Sequence, residues 1–374
     1  MMTGGQAVAE TLSAIGVKHV FGIVSVHNLP IYDALSLHRD IQVVNVRHEQ
    51  AAAHAADAYS RVTGELGVLL TSTGPGAVNA VPGIYEAAFV SSRVMMITGQ
   101  IESRFRGKGK GFLHEHEKQP EMLNTVCRSV ASVRYTEDIS RELSRIADDI
   151  RRGRPQPGAI EIPIDLQYRT TDIEIVGSSK TERIAPDETL LDQAAEILRT
   201  AERPVIWAGG GVNISGAGQE LTAFAERLGA PVVTTIEGRG SISETHPLSL
   251  GFRTDRVSGL EIFEEADAVL AVGTRFQNYA TRVWSLPMPE KLVHVDVDPE
   301  VIGRNYPAAV AVVGDAKLGL EGLLKRVNEG NVDDQFVDRC LKIRASDEQA
   351  VREEIGSDHS QIVSIIRQLL PEDS

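Results

Sequence analysis

Apolar residues recur along this chain with two alternating periods, and the alternation predicts the architecture. Ala7, Val8, Leu12 and Ile15 fall at helical spacing over 3–15 and stop at Gly16, a residue suited to a helix C-terminus. Residues 17–24, centred on Val20-Phe21-Gly22-Ile23, read as a strand, and Pro30 stands near the start of a helix over 28–35. The β-branched run 41–44 is a second strand, leading into an alanine-dense helix that reaches Arg61. The pattern continues with strands over 67–72, 92–100 and 158–166 and helices over 75–88 and 139–150. After a mixed, polar stretch ending at Pro186, four more apolar strands follow, over 204–208, 231–235, 268–273 and 292–298. This alternation predicts an α/β protein built from two doubly wound parallel-sheet domains. The expected divisions are a first domain over 1–170, a linker over 171–186, a second domain over 187–327 and a closing segment over 328–374. The closing segment reads as a charged linker helix to residue 355 and an amphipathic helix over 360–371.

Composition narrows the classes of function. With 42% hydrophobic and 24% charged residues the 374-residue chain is an ordinary globular one. Its 52 acidic against 38 basic residues give a net charge of −14, which argues against nucleic acid as a partner, although Arg104, Arg106, Lys108 and Lys110 sit close together in a glycine-rich loop. Cys127 and Cys340 match no metal-ligand spacing and point to a reducing compartment. No apolar run of about 20 residues and no basic-then-apolar leader is visible, so a cytoplasmic protein without a membrane partner is expected. His114, His116 and Glu117 lie close together, but spacing supplies no third ligand, so no metal site is expected among them.

Candidate chemistry concentrates at two strand-to-helix junctions. Glu49 stands where the strand over 41–44 gives way to its helix, followed by Ala51, Ala52, Ala53 and Ala55, small enough to admit another backbone or a flat ring. A partly buried carboxyl there would have a proton to trade. An acid in the first helical turn is equally what the helix dipole favours. Thr73-Gly74-Pro75-Gly76-Ala77-Val78-Asn79 is a glycine turn between a strand and a helix, able to offer backbone N–H groups to a ligand. An ordinary tight turn would look the same.

Taken in order, Arg47-His48-Glu49-Gln50-Ala51-Ala52, Ala55-Ala56-Asp57-Ala58-Tyr59, Arg61, Thr63-Gly64 and Gly67-Val68 resemble the pyrimidine-binding domain of thiamine-diphosphate enzymes, in the acetolactate synthase and 2-oxoacid decarboxylase group. The resemblance implies that Glu49 hydrogen-bonds the cofactor's aminopyrimidine and drives it into the imino form that deprotonates the thiazolium carbon. It implies that Thr73, Gly74, Pro75 and Asn79 line the cofactor, with Thr73 in place of the family's serine. Val24 and Ser25 hold positions where the family carries a Pro-Gly-Gly turn, a departure that restricts the backbone there. His114 falls where acetolactate synthases have a glutamine facing the site, with Glu115 kept, and a histidine there could shuttle protons.

The second domain resembles the Rossmann-like central domain of the same enzymes. Gly209-Gly210-Gly211 does not complete a dinucleotide motif, since Ile214 occupies the last glycine position, which argues against a plain dinucleotide oxidoreductase. Gly273-Thr274-Arg275-Phe276 resembles the version that binds FAD, but a Gly-Met-His-Gly stretch is missing, so FAD stays a possible but disfavoured cofactor beside ADP or none. The Gly-Asp-Gly motif that binds Mg²⁺ and diphosphate belongs to a third domain and is absent, so 360–371 is expected to be the first helix of a truncated diphosphate-binding domain. The implied activity is decarboxylation or carboligation of a 2-oxo acid, a lyase or transferase reaction, by a homodimer or homotetramer, with this chain inactive alone. The alternative is a non-catalytic binding or assembly module that retains the fold.

Overall fold

The structure, a computed structural model, describes residues 1–179 and 182–371, and forms two compact units, Met1–Glu182 and Arg183–Ser374. The first unit runs β1 (Met2–Thr3), α1 (Gly4–Ala14), β2 (His19–Gly22), α2 (Leu29–Ser36), β3 (Gln42–Asn45), α3 (Glu49–Thr63), β4 (Gly67–Thr71) and α4 (Pro75–Val90). It continues with β5 (Val94–Gln100), α5 (Gln119–Asn124), β6 (Ser129–Ser132), α6 (Ile139–Arg151), β7 (Gly158–Pro163), α7 (Ile164–Tyr168) and β8 (Thr170–Thr171). Six of these strands form one parallel sheet in the order β3-β2-β4-β5-β7-β6, and β1 pairs antiparallel with β8. β4, β5 and β7 are buried along their whole length, which is why they read as unbroken apolar runs rather than alternating ones.

α3 starts on His48, whose side chain accepts the Gln50 N–H at 3.2 Å, and ends on Gly64 in the left-handed conformation (φ 73). Its alanines admit another backbone, as their size suggested, and that backbone is α4 of the same unit. A Cβ at Gly83 would lie 2.5 Å from the Ala53 Cβ. Residues 172–179 run along α6, where Ser140 Oγ accepts the Val176 N–H at 2.8 Å and Asp148 accepts the Ser178 hydroxyl at 2.7 Å.

The second unit comprises α8 (Glu188–Thr200), β9 (Pro204–Ala208), α9 (Gly210–Ser215), α10 (Gly218–Leu228), β10 (Val232–Thr234) and β11 (Ser249–Gly251), then α11 (Val257–Glu265), β12 (Ala268–Val272), β13 (Leu292–Asp296), β14 (Val310–Val313), α12 (Ala316–Leu324) and α13 (Asp334–Leu369). Its six parallel strands are ordered β11-β10-β9-β12-β13-β14, the doubly wound arrangement with reversal between β9 and β12. Over the closing segment α13 divides at Gly356 (φ 77, ψ 170), a non-helical conformation open to glycine, so that two helices meet there, next to the division expected after residue 355. Among the described residues no helix is long and apolar enough to cross a membrane. Cys127 and Cys340 are free and buried, and burial pushes both thiols up to about 12, so neither is an activated nucleophile.

Candidate functional site

In an open parallel sheet, the loops at the carboxyl ends of the strands spread apart where the strand order reverses. In the first unit that point lies between β2 and β4, and the candidate residues gather around it. Glu49 is the first residue of α3 and is half-buried. Its Oε2 accepts the Asn79 Nδ2–H at 3.0 Å, whereas Oε1 has no hydrogen-bond partner among the described residues. Oε1 instead faces Gly76, where a Cβ would stand only 3.3 Å away. Nearby, the Tyr32 hydroxyl is buried and unpartnered, and it fits because β2 offers Gly22, where a Cβ would meet that oxygen at 2.5 Å. Burial first, and then the Glu49 charge, push the Tyr32 phenol well above its ordinary range. The arrangement fixes one carboxyl oxygen and leaves the other free to accept or donate a proton.

The turn after β2 is built without left-handed backbone, since no residue of 24–27 has a positive φ. Asn28 braces this turn: its Oδ1 accepts the Ser25 N–H at 2.7 Å and its Nδ2 donates to the Ile23 carbonyl at 3.1 Å. Val24 and Val26 are left 51% and 63% exposed, while His27 turns inward and is only 2% exposed. The His27 Nδ1 lies 3.4 Å from Ser72 Oγ, and its ring centroid is 5.7 Å from that of His114. Burial, reinforced by His114 and partly opposed by a hydrogen bond that the ring donates to the Leu113 backbone, lowers the His27 pKa, favouring the neutral imidazole. His114 itself is exposed, in a left-handed conformation (φ 61), with its carbonyl oxygen 2.5 Å from where a Cβ on Gly74 would sit. Glu115 caps its own loop, accepting the Gly111 and Phe112 N–H groups at 3.0 Å each.

Beneath the glycine turn lies a network that sequence reasoning missed. Gln119 is fully buried, and its Oε1 accepts the Gly74 N–H and the Thr73 hydroxyl, both at 3.0 Å. Its Nε2 donates to Glu161 Oε2 at 3.0 Å and to the Gly99 carbonyl at 3.2 Å. The fully buried Glu161 carboxylate also accepts from Gln100 at 3.1 Å, Ser132 at 2.7 Å and Arg106 at 2.5 Å. One signal was available: Glu161 is an acid inside the apolar run Ala159-Ile160-Glu161-Ile162, where an unpaired charge would be costly. Among the described residues no cluster of three or more His, Cys, Asp or Glu side chains is placed to hold a metal ion.

Comparison with known proteins places these features in a family. Residues 2–125 match the family model for the thiamine pyrophosphate enzyme, N-terminal TPP binding domain, and residues 191–323 that for the thiamine pyrophosphate enzyme, central domain. A probable acetolactate synthase large subunit of Methanocaldococcus jannaschii is 36% identical over 334 residues, covering 86% of this chain and 56% of that protein. A probable 2-ketoarginine decarboxylase of Pseudomonas aeruginosa is 35% identical, covering 100% of this chain and 66% of its own length. An acetolactate synthase of Mycobacterium bovis is 33% identical, covering 88% and 54% respectively. The chain thus spans between about half and two thirds of the length of these relatives.

Proposed function

Because this chain belongs to the thiamine pyrophosphate enzyme family, we propose that its first unit holds the pyrimidine of thiamine diphosphate in an enzyme that decarboxylates a 2-oxo acid and, with an acceptor present, joins the remaining unit to it. The observation that carries the reading is the Glu49 carboxyl, with Oε2 held by Asn79 and Oε1 unpartnered over Gly76. An unpaired, partly buried acceptor at the reversal point of a parallel sheet suits the ring nitrogen of a flat heteroaromatic. The fit extends to the pyrimidine half only; the diphosphate, with Mg²⁺, requires donors from elsewhere. When bound, the cofactor supplies a nucleophilic carbon and an electron sink for loss of the carboxylate.

This chain's own residues do the rest. Asn79 confines proton exchange to Oε1 of Glu49 by occupying Oε2. Gly76 keeps the space above that oxygen clear of any side chain. Thr73 and Gly74 set the turn from which α4 departs, and Val24 and Ser25 form the opposite wall. His27, held neutral by burial, offers a proton acceptor beside Ser72, and His114 offers a second imidazole at the open side. The identity of the 2-oxo acid lies between the small acids of acetolactate chemistry and the longer one named for the Pseudomonas relative.

In the holoenzyme, Glu49→Gln keeps the shape but removes the exchangeable proton. CO₂ release from a panel of 2-oxo acids should fall by roughly a hundredfold or more, the usual weight of a general acid–base group, while cofactor affinity by calorimetry changes little. A variant with wild-type turnover on every 2-oxo acid would remove Glu49 from the mechanism. We further propose a homodimer or homotetramer in the cytoplasm, supported by the exposed apolar stripe Val78, Tyr85 and Phe89 on α4. Light scattering at tens of micromolar should report at least twice the chain mass, and a monomer would refute the assembly.

A further inference from the structure

The loop over 101–118 and the turn over 73–76 come from distant parts of the sequence, yet one side chain ties both to the middle of the sheet. Gln119 begins α5, and all its polar capacity is spent inward. Its carbonyl oxygen receives two donors from the turn, the Gly74 N–H and the Thr73 hydroxyl. Its amide nitrogen reaches Glu161 and the Gly99 carbonyl at the ends of β7 and β5. A primary amide suits this place because its oxygen can accept toward the turn while its NH₂ group donates two protons, one toward a carboxylate and one toward a carbonyl. Gly74 sits at φ 58 and ψ −116, far from helical backbone, and needs an external partner to hold it there. From Gly74 the constraint passes to Gly76, whose N–H bonds the Thr73 carbonyl at 3.3 Å and above which Glu49 Oε1 lies. Arg106, the fourth group on Glu161, secures the loop from the other side.

We propose that Gln119 is a positioning residue: by bridging the Glu161 carboxylate to the Thr73-Gly74 turn it sets the start of α4, and with it the space in front of Glu49. What that space is for rests on the reading of function above; the brace itself does not. Asn79 and Gly76 both belong to α4, so a turn that relaxes would shift the anchor of Oε2 and the floor under Oε1 together. The predicted consequence is a loss of order local to residues 73–79 and 101–118, with the sheet behind them intact.

Amide hydrogen exchange on the purified chain tests this without any turnover. Gln119→Met fills about the same volume with no donor and only a weak sulfur acceptor. Peptides covering 73–79 and 101–118 should then exchange roughly ten- to a hundredfold faster, the effect of losing hydrogen bonds to a charged group. Gln119→Glu is the sharper probe. While the new carboxyl is protonated it keeps an acceptor toward Gly74 and one donor toward Glu161, giving up only the bond to the Gly99 carbonyl. Once ionised it meets Glu161 as a like charge across a hydrogen-bond distance. Beside that carboxylate and buried, its pKa is raised, so the variant should match wild type at pH 6 and exchange faster in the two segments at pH 8.5, each compared with wild type at the same pH. Wild-type exchange in both variants, or a Gln119→Glu effect independent of pH, would overturn the proposal. So would loss of protection spreading through α1 and β5, because Gln119 would then be holding the sheet rather than one turn. Failure of cofactor binding or turnover, with these exchange results in place, would touch the functional reading alone.

Discussion

The two sheets reverse their strand order at comparable places, between β2 and β4 in the first unit and between β9 and β12 in the second. In the first, the carboxyl ends of the strands are joined through side chains: Thr73, Gln100, Gln119, Glu161, Ser132 and Arg106 form one hydrogen-bonded group. In the second, backbone meets backbone. A Cβ on Gly209 would lie 2.2 Å from the Gly273 carbonyl oxygen, and one on Gly211 would lie 2.6 Å from the Gly273 Cα. Gly209 and Gly211 are therefore explained by close packing against the turn at Gly273, and Gly210 by Glu237, whose Cβ lies 2.9 Å from where its own would stand. The same architecture thus reaches order by two routes, one dependent on hydrogen-bonded and charged side chains and the other on the absence of side chains. Both tryptophans, Trp207 and Trp284, belong to the second unit, so their fluorescence follows that unit while far-UV circular dichroism follows both.

The comparison can be broken most forcefully at Glu161. Glu161→Ala strands Arg106, Gln100, Gln119 and Ser132 together, and removing one partner of a buried pair costs roughly 3–5 kcal/mol. Denaturant unfolding should show the circular dichroism transition moving to lower denaturant while the tryptophan transition stays in place. Movement of both by equal amounts would deny that the network belongs to one unit. The next effect is in the second unit and depends on pH. His294 is fully buried on β13, its Nε2 2.9 Å from the Thr274 carbonyl oxygen, and burial lowers its pKa from 6.5 to about 4. The unfolded imidazole takes up a proton near 6.5 and the folded one only near 4, so stability is complete above the first value and falls as pH drops toward the second. The loss approaches about 3 kcal/mol, read by tryptophan fluorescence, and His294→Phe should flatten it. The smallest effect tests backbone contact directly. Gly209→Ala has ordinary backbone angles but no room for its methyl, and should cost about 1–3 kcal/mol in the tryptophan transition; an unchanged midpoint would show that the loops can part without penalty.

Legibility in the sequence follows the range of the interactions. The parallel sheets were readable because buried strands carry their burial locally, as in the run Val94-Met95-Met96-Ile97. Glu49 was readable because the strand, the acid and the alanines are neighbours in the chain. Gln119 was not, since His114-Glu115-His116-Glu117-Lys118-Gln119 looks uniformly polar and nothing local marks the last of the six as buried. Its four partners are between 20 and 46 residues away and meet it only through the strand order β4-β5-β7. His27 was hidden similarly, because its inward turn depends on Gly99 leaving room for its carbonyl and on Gln167 donating to that oxygen at 2.9 Å. The alanine face of α3 was read correctly as a close-approach surface, and only the structure identifies α4 as what approaches it.

The strand order has a kinetic consequence. β7 is the last of the six strands in the chain, yet it lies inside the sheet, between β5 and β6. Until it arrives, β5 presents an open edge of seven buried residues, Val94–Gln100, with no neighbour on that side. A nascent chain that has emerged only as far as α5 therefore carries a hydrophobic, β-prone edge able to pair with another copy. Closing that edge requires a contact between residues more than sixty positions apart, such as Met95 with Gly158, which slows the step by the entropy of the intervening loop. Glu161 rides on this same strand, so the charge that braces the turn and the segment that seals the sheet arrive in a single event late in folding.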